Sequence, residues 1–134
     1  MICVDTTFLV DLWRERDLRS SAARALLGAH AGEEVAVPAH AAGEFLEGGA
    51  AVSGQRLDDS LEFLRLFRIG EVGIETALRY ARIVAHLRQA SELSGRSKPD
   101  LWIAAWAVEH SSRLATRNVR HFEGIPGVEL LAYG

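Results

Sequence analysis

At 134 residues the chain is one domain by size and long enough to bury a core. Its 49% hydrophobic and 25% charged composition is that of a globular protein, and a net charge of −3 provides no general basic field for coating nucleic acid. The single cysteine, Cys3, excludes an internal disulfide, the start carries Asp5 rather than a basic leader, and no apolar run approaches the roughly 18 residues of a membrane span. The expectation is a soluble cytoplasmic protein.

Ile2–Val4 reads as a short buried strand, ended by Asp5-Thr6-Thr7 with good helix-capping side chains. Phe8–Trp13 reads as a helix, Arg14–Asp17 as a charged connection, and Leu18–Ala29 as a second helix stopped by Gly32. Glu34–Val37 alternates like a strand up to Pro38, and His40–Leu46 resumes a helical pattern expected to run out at Gly48-Gly49. The spacing Leu57, Leu61, Leu64, Phe67 predicts an amphipathic helix from Gln55 to a break at Gly70. Ile74, Leu78, Ala81, Val84 and Ala85 mark a longer helix that ends by Ser94-Gly95. Pro99 suits the first position of the next helix, where no N–H is needed. The eight apolar residues Leu101–Val108 predict that this helix is surrounded by protein. Strands at Leu114–Thr116 and Val128–Leu131 complete the chain.

Strands separated by helices predict an α/β domain with a largely parallel sheet and helices on both faces. Ligands of such sheets bind beyond the carboxyl ends of the strands. Asp5 follows the first strand, Glu44 lies in the helix after the second, Asp100 opens the helix before the Leu114 strand, and Asn118 follows it. All four are expected to gather at one edge of the sheet. An acid in a first helical turn is also favoured by the helix dipole, so Asp100 alone says little. Clustered carboxylates repel, however, and a cation that takes oxygen ligands relieves that cost. Glu44 sits among Ala41-Ala42-Gly43 and Phe45-Leu46, where an unpartnered charge is expensive. There is no P-loop, no dinucleotide Gly-x-Gly turn, no zinc spacing, and no nucleophile elbow at Ser111-Ser112.

Four segments, VDTTFLVDL, VPAHAAGEFLEG, KPDLWIAAWAVEH and LATRNVRHFEGIPGVELL, together resemble the PIN-domain family, in particular VapC-type toxins of type II toxin–antitoxin systems. The resemblance spans nearly the whole chain. It implies a PIN-like three-layer α/β/α sandwich and an endoribonuclease using Mg²⁺ or Mn²⁺. It further implies a cognate VapB-like antitoxin and a homodimer. By position Asp5, Glu44 and Asp100 match the family's three acids, with Asp5 and Asp100 expected to contact the metal and Glu44 to bind it through water or orient the attacking water. The segment Thr116–Phe122 matches the source of a fourth polar or acidic group. Here Asn118 is neutral and His121 stands where relatives often carry an acid, which weakens metal binding, most of all at a second site.

Thr6 and Thr116 are read as supports for the carboxylates or as caps, and Arg96, Lys98, Arg117 and Arg120 as phosphate contacts or a solvated rim. His121 is expected to be a surface or packing residue, and Trp102 and Trp106 to pack in the core. Trp13, Leu9 and Leu12 are candidate antitoxin anchors. Two competing functions are a PIN-like domain that binds RNA or a partner without cutting, and a phosphatase, against which the absence of an Asp-x-Asp pair after the first strand counts.

Overall fold

The computed structural model describes residues 1–134. Five short strands, β1 (Ile2–Val4), β2 (Val35–Pro38), β3 (Arg68–Gly70), β4 (Arg113–Thr116) and β5 (Leu130–Ala132), form one sheet in the order β3-β2-β1-β4-β5. Every pairing is parallel; Ile2 lies opposite Val35 on one side and Arg113 on the other. Seven helices connect the strands: α1 (Thr6–Arg14), α2 (Ala22–Ala29), α3 (Ala39–Val52), α4 (Gly54–Leu64), α5 (Ile74–Gln89), α6 (Lys98–Glu109) and α7 (Val119–Phe122). The result is the helix-flanked parallel sheet expected from the sequence. Continuous apolar runs such as Ile2-Cys3-Val4 are fully buried, as a parallel sheet covered on both faces requires.

After β1 the chain crosses to β2 on one side, whereas β4 lies on the other. The carboxyl ends of β1 and β4 therefore flank a topological switch point, where open α/β sheets place their ligands. Asp5 and Thr116 stand at those two ends.

Several boundaries depart from the sequence reading, each for a local reason. The second helix begins at Ala22 rather than Leu18, because Ser21 caps it by accepting the Arg24 N–H. Helix α3 runs through Gly48-Gly49 to Val52. There Gly49 lets α4 approach: a Cβ would stand 2.5 Å from Ser60 Oγ. The helix predicted up to Gly70 stops at Leu64, and Arg68–Gly70 becomes the edge strand β3. Three residues carry too little periodicity to declare a strand. Gly70 is pressed against the Trp106 indole, where a Cβ would meet the ring at 2.2 Å. Lys98, not Pro99, takes the first position of α6, with Ser97 as the cap.

Helix α6 is the interior helix that its apolar run predicts, with Leu101, Ile103, Ala104, Ala105, Trp106 and Ala107 buried. Trp106 belongs to the core and donates its indole N–H to the Glu71 carbonyl (3.0 Å). Trp102 is half-buried and stacks with Tyr80 of α5 and His40 of α3.

Candidate active site

The site is built on the tripeptide Asp5-Thr6-Thr7 at the start of α1, each side chain of which grips a different part of the fold. Asp5 is the N-cap: its Oδ1 accepts the Phe8 N–H at 2.8 Å, satisfying one of the helix's orphan donors. Its other oxygen, Oδ2, accepts from the Thr116 hydroxyl at the end of β4 (2.6 Å). Thr6 donates to Glu44 Oε1 on α3 at 2.6 Å. Thr7 accepts from the Asn118 side-chain amide at 3.0 Å, while the Asn118 backbone N–H is held by Thr116 Oγ1 at 2.9 Å. Thr116 is fully buried and serves both neighbours at once, as donor to Asp5 and acceptor from Asn118.

Asp5 is 2% exposed, an unusual place for a carboxylate. Burial pushes its pKa up from the ordinary range, and the negative charges of Asp100 and Asp11 push the same way. The bonds from Thr116 and the Phe8 N–H act against this by favouring the charged form. Asp100 lies in the first turn of α6 with its side chain 21% exposed, close enough to Asp5 for the two charges to repel. Its Oδ2 lies 3.1 Å from His121 Nδ1 on α7. His121, read from the sequence as a surface or packing residue, is exposed but touches the site.

The donor chemistry fits a hydrated hard cation. Such ions take one or two carboxylates and keep several waters, and Asp5 and Asp100 offer two carboxylates whose mutual repulsion a cation would relieve. No three His, Cys, Asp or Glu side chains form a ready-made cage, so the three acids do not converge as one ligand set.

A sequence profile described as the PIN domain matches residues 2–127. The chain belongs to the PIN-domain family. A ribonuclease VapC1 of Rickettsia felis is 39% identical over 72 residues, 53% of this chain and 52% of that protein, so the match spans about half the length of this curated relative. Among solved structures, VapBC2 of Rickettsia felis bound to a DNA fragment from their promoter gives a TM-score of 0.87 at 20% identity, covering 100% of both chains. FitAcB of Neisseria gonorrhoeae gives 0.80 at 26% identity, covering 98% of this chain and 96% of that one.

In this PIN domain the basic residues near the site have separate duties. Arg96 is committed to three carbonyls: Nε donates to Glu92 (2.9 Å), and the two terminal nitrogens to His121 (3.2 Å) and Glu123 (2.7 Å). It pins α7 and its following turn to the approach of α6. Arg117 reaches Asp11 at 3.5 Å, and Tyr133 donates to the same carboxylate at 2.8 Å. Burial pushes the Tyr133 hydroxyl's pKa up, helped by that bond and the Asp11 charge. Lys98 and Arg120 are exposed.

Leu9 and Leu12 are core residues, at 0% and 8% exposure, and offer no purchase to a partner. They share the buried side of α1 with Phe8. Trp13 is half-buried beside a groove that includes Val10, Phe45 and Val52, with the Arg16 and Arg56 guanidinium groups over its ring at 4.1 and 4.8 Å.

Three contributors escaped the sequence reading. Thr7 holds Asn118, Asp11 adds negative charge behind Asp5, and His121 meets Asp100. Only the triple Asp5-Thr6-Thr7 hinted at the first, by offering three hydrogen-bonding side chains in a row.

Proposed function

We propose that this PIN domain is a metal-dependent endoribonuclease toxin whose activity is held in check by a cognate antitoxin. The observation that carries the reading is the buried Asp5 carboxylate, hydrogen-bonded on both oxygens yet repelled by Asp100, at the switch point of the sheet. The partial likeness to a ribonuclease VapC1 supports the RNA substrate, and the likeness to VapBC assemblies supports the antitoxin.

On this reading Asp5 and Asp100 hold a hydrated Mg²⁺ or Mn²⁺. Such a cation supplies charge neutralisation for the phosphodiester and a more acidic bound water. Thr116 keeps one Asp5 oxygen aimed by its 2.6 Å bond. Glu44, fixed through Oε1 by Thr6, orients the attacking water with its remaining acceptor capacity. Asn118, anchored through its amide nitrogen, keeps its carbonyl oxygen as a neutral acceptor beside the carboxylates. Lys98 and Arg120 are exposed cations available to backbone phosphates, whereas Arg96 is occupied by three carbonyls and the exposed Arg117 lies 3.5 Å from Asp11.

A second reading, a PIN domain that binds RNA or a partner without cutting, is favoured by the neutral Asn118 and by His121 beside Asp100. The deciding experiment incubates the purified chain with a structured RNA pool under Mg²⁺, Mn²⁺ and EDTA, beside Asp100→Asn. Cleavage that needs metal and is lost in the variant is the expected result. RNA binding retained with no cleavage under any metal gives the second reading. Cleavage that persists equally in EDTA overturns the proposed chemistry.

A further inference from the structure

We infer that helix α5 carries a phosphate-binding hollow that holds the backbone of the RNA away from the site of cleavage; the inference rests on RNA being the substrate, as proposed above. The hollow, of about 430 Å³, is lined by Arg79, Arg82, Ile83 and His86 of α5, by Val108 near the end of α6, and by Pro126. No acid lines it, although the chain carries a net charge of −3. Asp100 lies in the first turn of α6 and Val108 in the last, about 12 Å apart along the axis, so the hollow is separate from the Asp5–Asp100 site.

Arg79 is the decisive residue. Its Nε is the one buried side-chain nitrogen or oxygen that lacks a hydrogen-bond partner. The other half-buried arginines each have an acceptor or an aromatic face: Arg24 and Arg96 bond carbonyls, Arg113 meets Glu33, and Arg56 lies over the Trp13 ring. Glu75, one turn earlier on α5, is spaced to pair with Arg79 but does not, and Arg82 and His86 are in no ion pair either. Solvation accounts for the exposed Arg82 and His86. It does not account for Arg79: packing an arginine stem hides methylenes, but taking an N–H from water with nothing to receive it is costly.

An oxyanion supplies what the hollow lacks. Phosphate oxygens accept from guanidinium N–H groups, and His86 adds a further donor, since an imidazole keeps one N–H in either tautomer. Arg79, Arg82 and His86 recur at helical spacing on one face of α5, in a row about 10 Å long. Donors strung over that length match a strand charged at every nucleotide better than they match a single carboxylate. Contacts of this kind position RNA without reading its bases, so the hollow anchors the strand and does not select the bond that is cut.

The test measures binding of a fluorescent single-stranded RNA by anisotropy in EDTA, over a range of salt concentrations. Wild type, Arg79→Gln, Arg82→Gln and the double variant are compared, with Arg19→Gln, exposed between α1 and α2, as the control for net charge. The double variant should bind about tenfold more weakly at low salt, and its slope of log K against log[salt] should be shallower by about 1.4, the value for two lost phosphate contacts on a single strand. Inorganic phosphate, titrated by calorimetry at constant ionic strength, should bind the wild type weakly and Arg79→Gln not at all. Arg79→Gln should melt no lower than wild type without phosphate, because it removes an unsatisfied donor. A lower melting temperature would give Arg79 a role in the fold and overturn the inference. Equal RNA affinity and slope in wild type and double variant overturn it even if phosphate alone binds, and so does an equal loss in Arg19→Gln. Metal-dependent cleavage by a wild type whose variants bind RNA equally well sinks the hollow and leaves the proposed function standing. A wild type that neither binds nor cuts RNA removes both.

Discussion

Thr116→Val removes one hydroxyl with almost no change of shape, at a position that is fully buried. Two bonds go with it: the 2.6 Å donation to the Asp5 carboxylate and the acceptance of the Asn118 N–H at 2.9 Å. A bond to a charged group contributes about 1.5–3 kcal/mol and a neutral one about 1, so the loss should be about 3 kcal/mol at neutral pH. Unfolding entropy near 2.1 cal/mol/K per residue gives this 134-residue chain about 0.28 kcal/mol/K, and Tm should fall by about 10 °C. The penalty also has a pH signature. The Thr116 bond favours the charged form of Asp5, so the penalty applies above the Asp5 pKa and shrinks as pH falls through it. Metal-free calorimetry of both proteins from neutral pH into the acid range measures this directly. A Tm drop below about 3 °C, or one that is the same at neutral and acid pH, would show that Thr116 does not hold the Asp5 carboxylate in its charged form.

Asp5→Asn should raise Tm at neutral pH in the absence of divalent cations while abolishing cleavage. The raised folded-state pKa of Asp5 means that its protonated form stabilises the fold below the ordinary value of 3.8, a contribution lost as pH rises through the folded pKa. The gap between variant and wild type should therefore close as pH falls below that value. A variant less stable than wild type at neutral pH contradicts the assignment of Asp5 as a strained carboxylate. Gly70→Ala places a Cβ 2.2 Å from the Trp106 ring, which is also held by its bond to the Glu71 carbonyl. Overpacking there should cost about 1–3 kcal/mol by chemical denaturation, and a loss under about 0.5 kcal/mol would show that the edge strand yields freely.

The sequence by itself determined the elements with long or pure apolar patterns and the positions of the acids. The unbroken run Leu101–Val108 specified an interior helix because no polar residue within it could face water. The short apolar strands, separated by helical segments through most of the chain, specified a largely parallel sheet, and the ends of the first strand and of the Leu114 strand located Asp5 and Thr116. Beyond these, local pattern carried too little information. The three-residue strand β3 exists because β2 offers it a ladder, and α3 continues past two glycines because α4 packs on Gly49. The site divides in the same way. Proximity along the chain left Arg96 and Arg117 open as phosphate contacts or a solvated rim; in the fold Arg96 bonds the carbonyls of His121 and Glu123, and the exposed Arg117 lies 3.5 Å from the buried Asp11. His121 and Asp100 are separated by a helix and a strand, so their contact arises only when α7 folds back over the start of α6. Charge, polarity and periodicity are properties of the chain. Which buried polar group satisfies which is decided by distances that come into being only when the sheet closes.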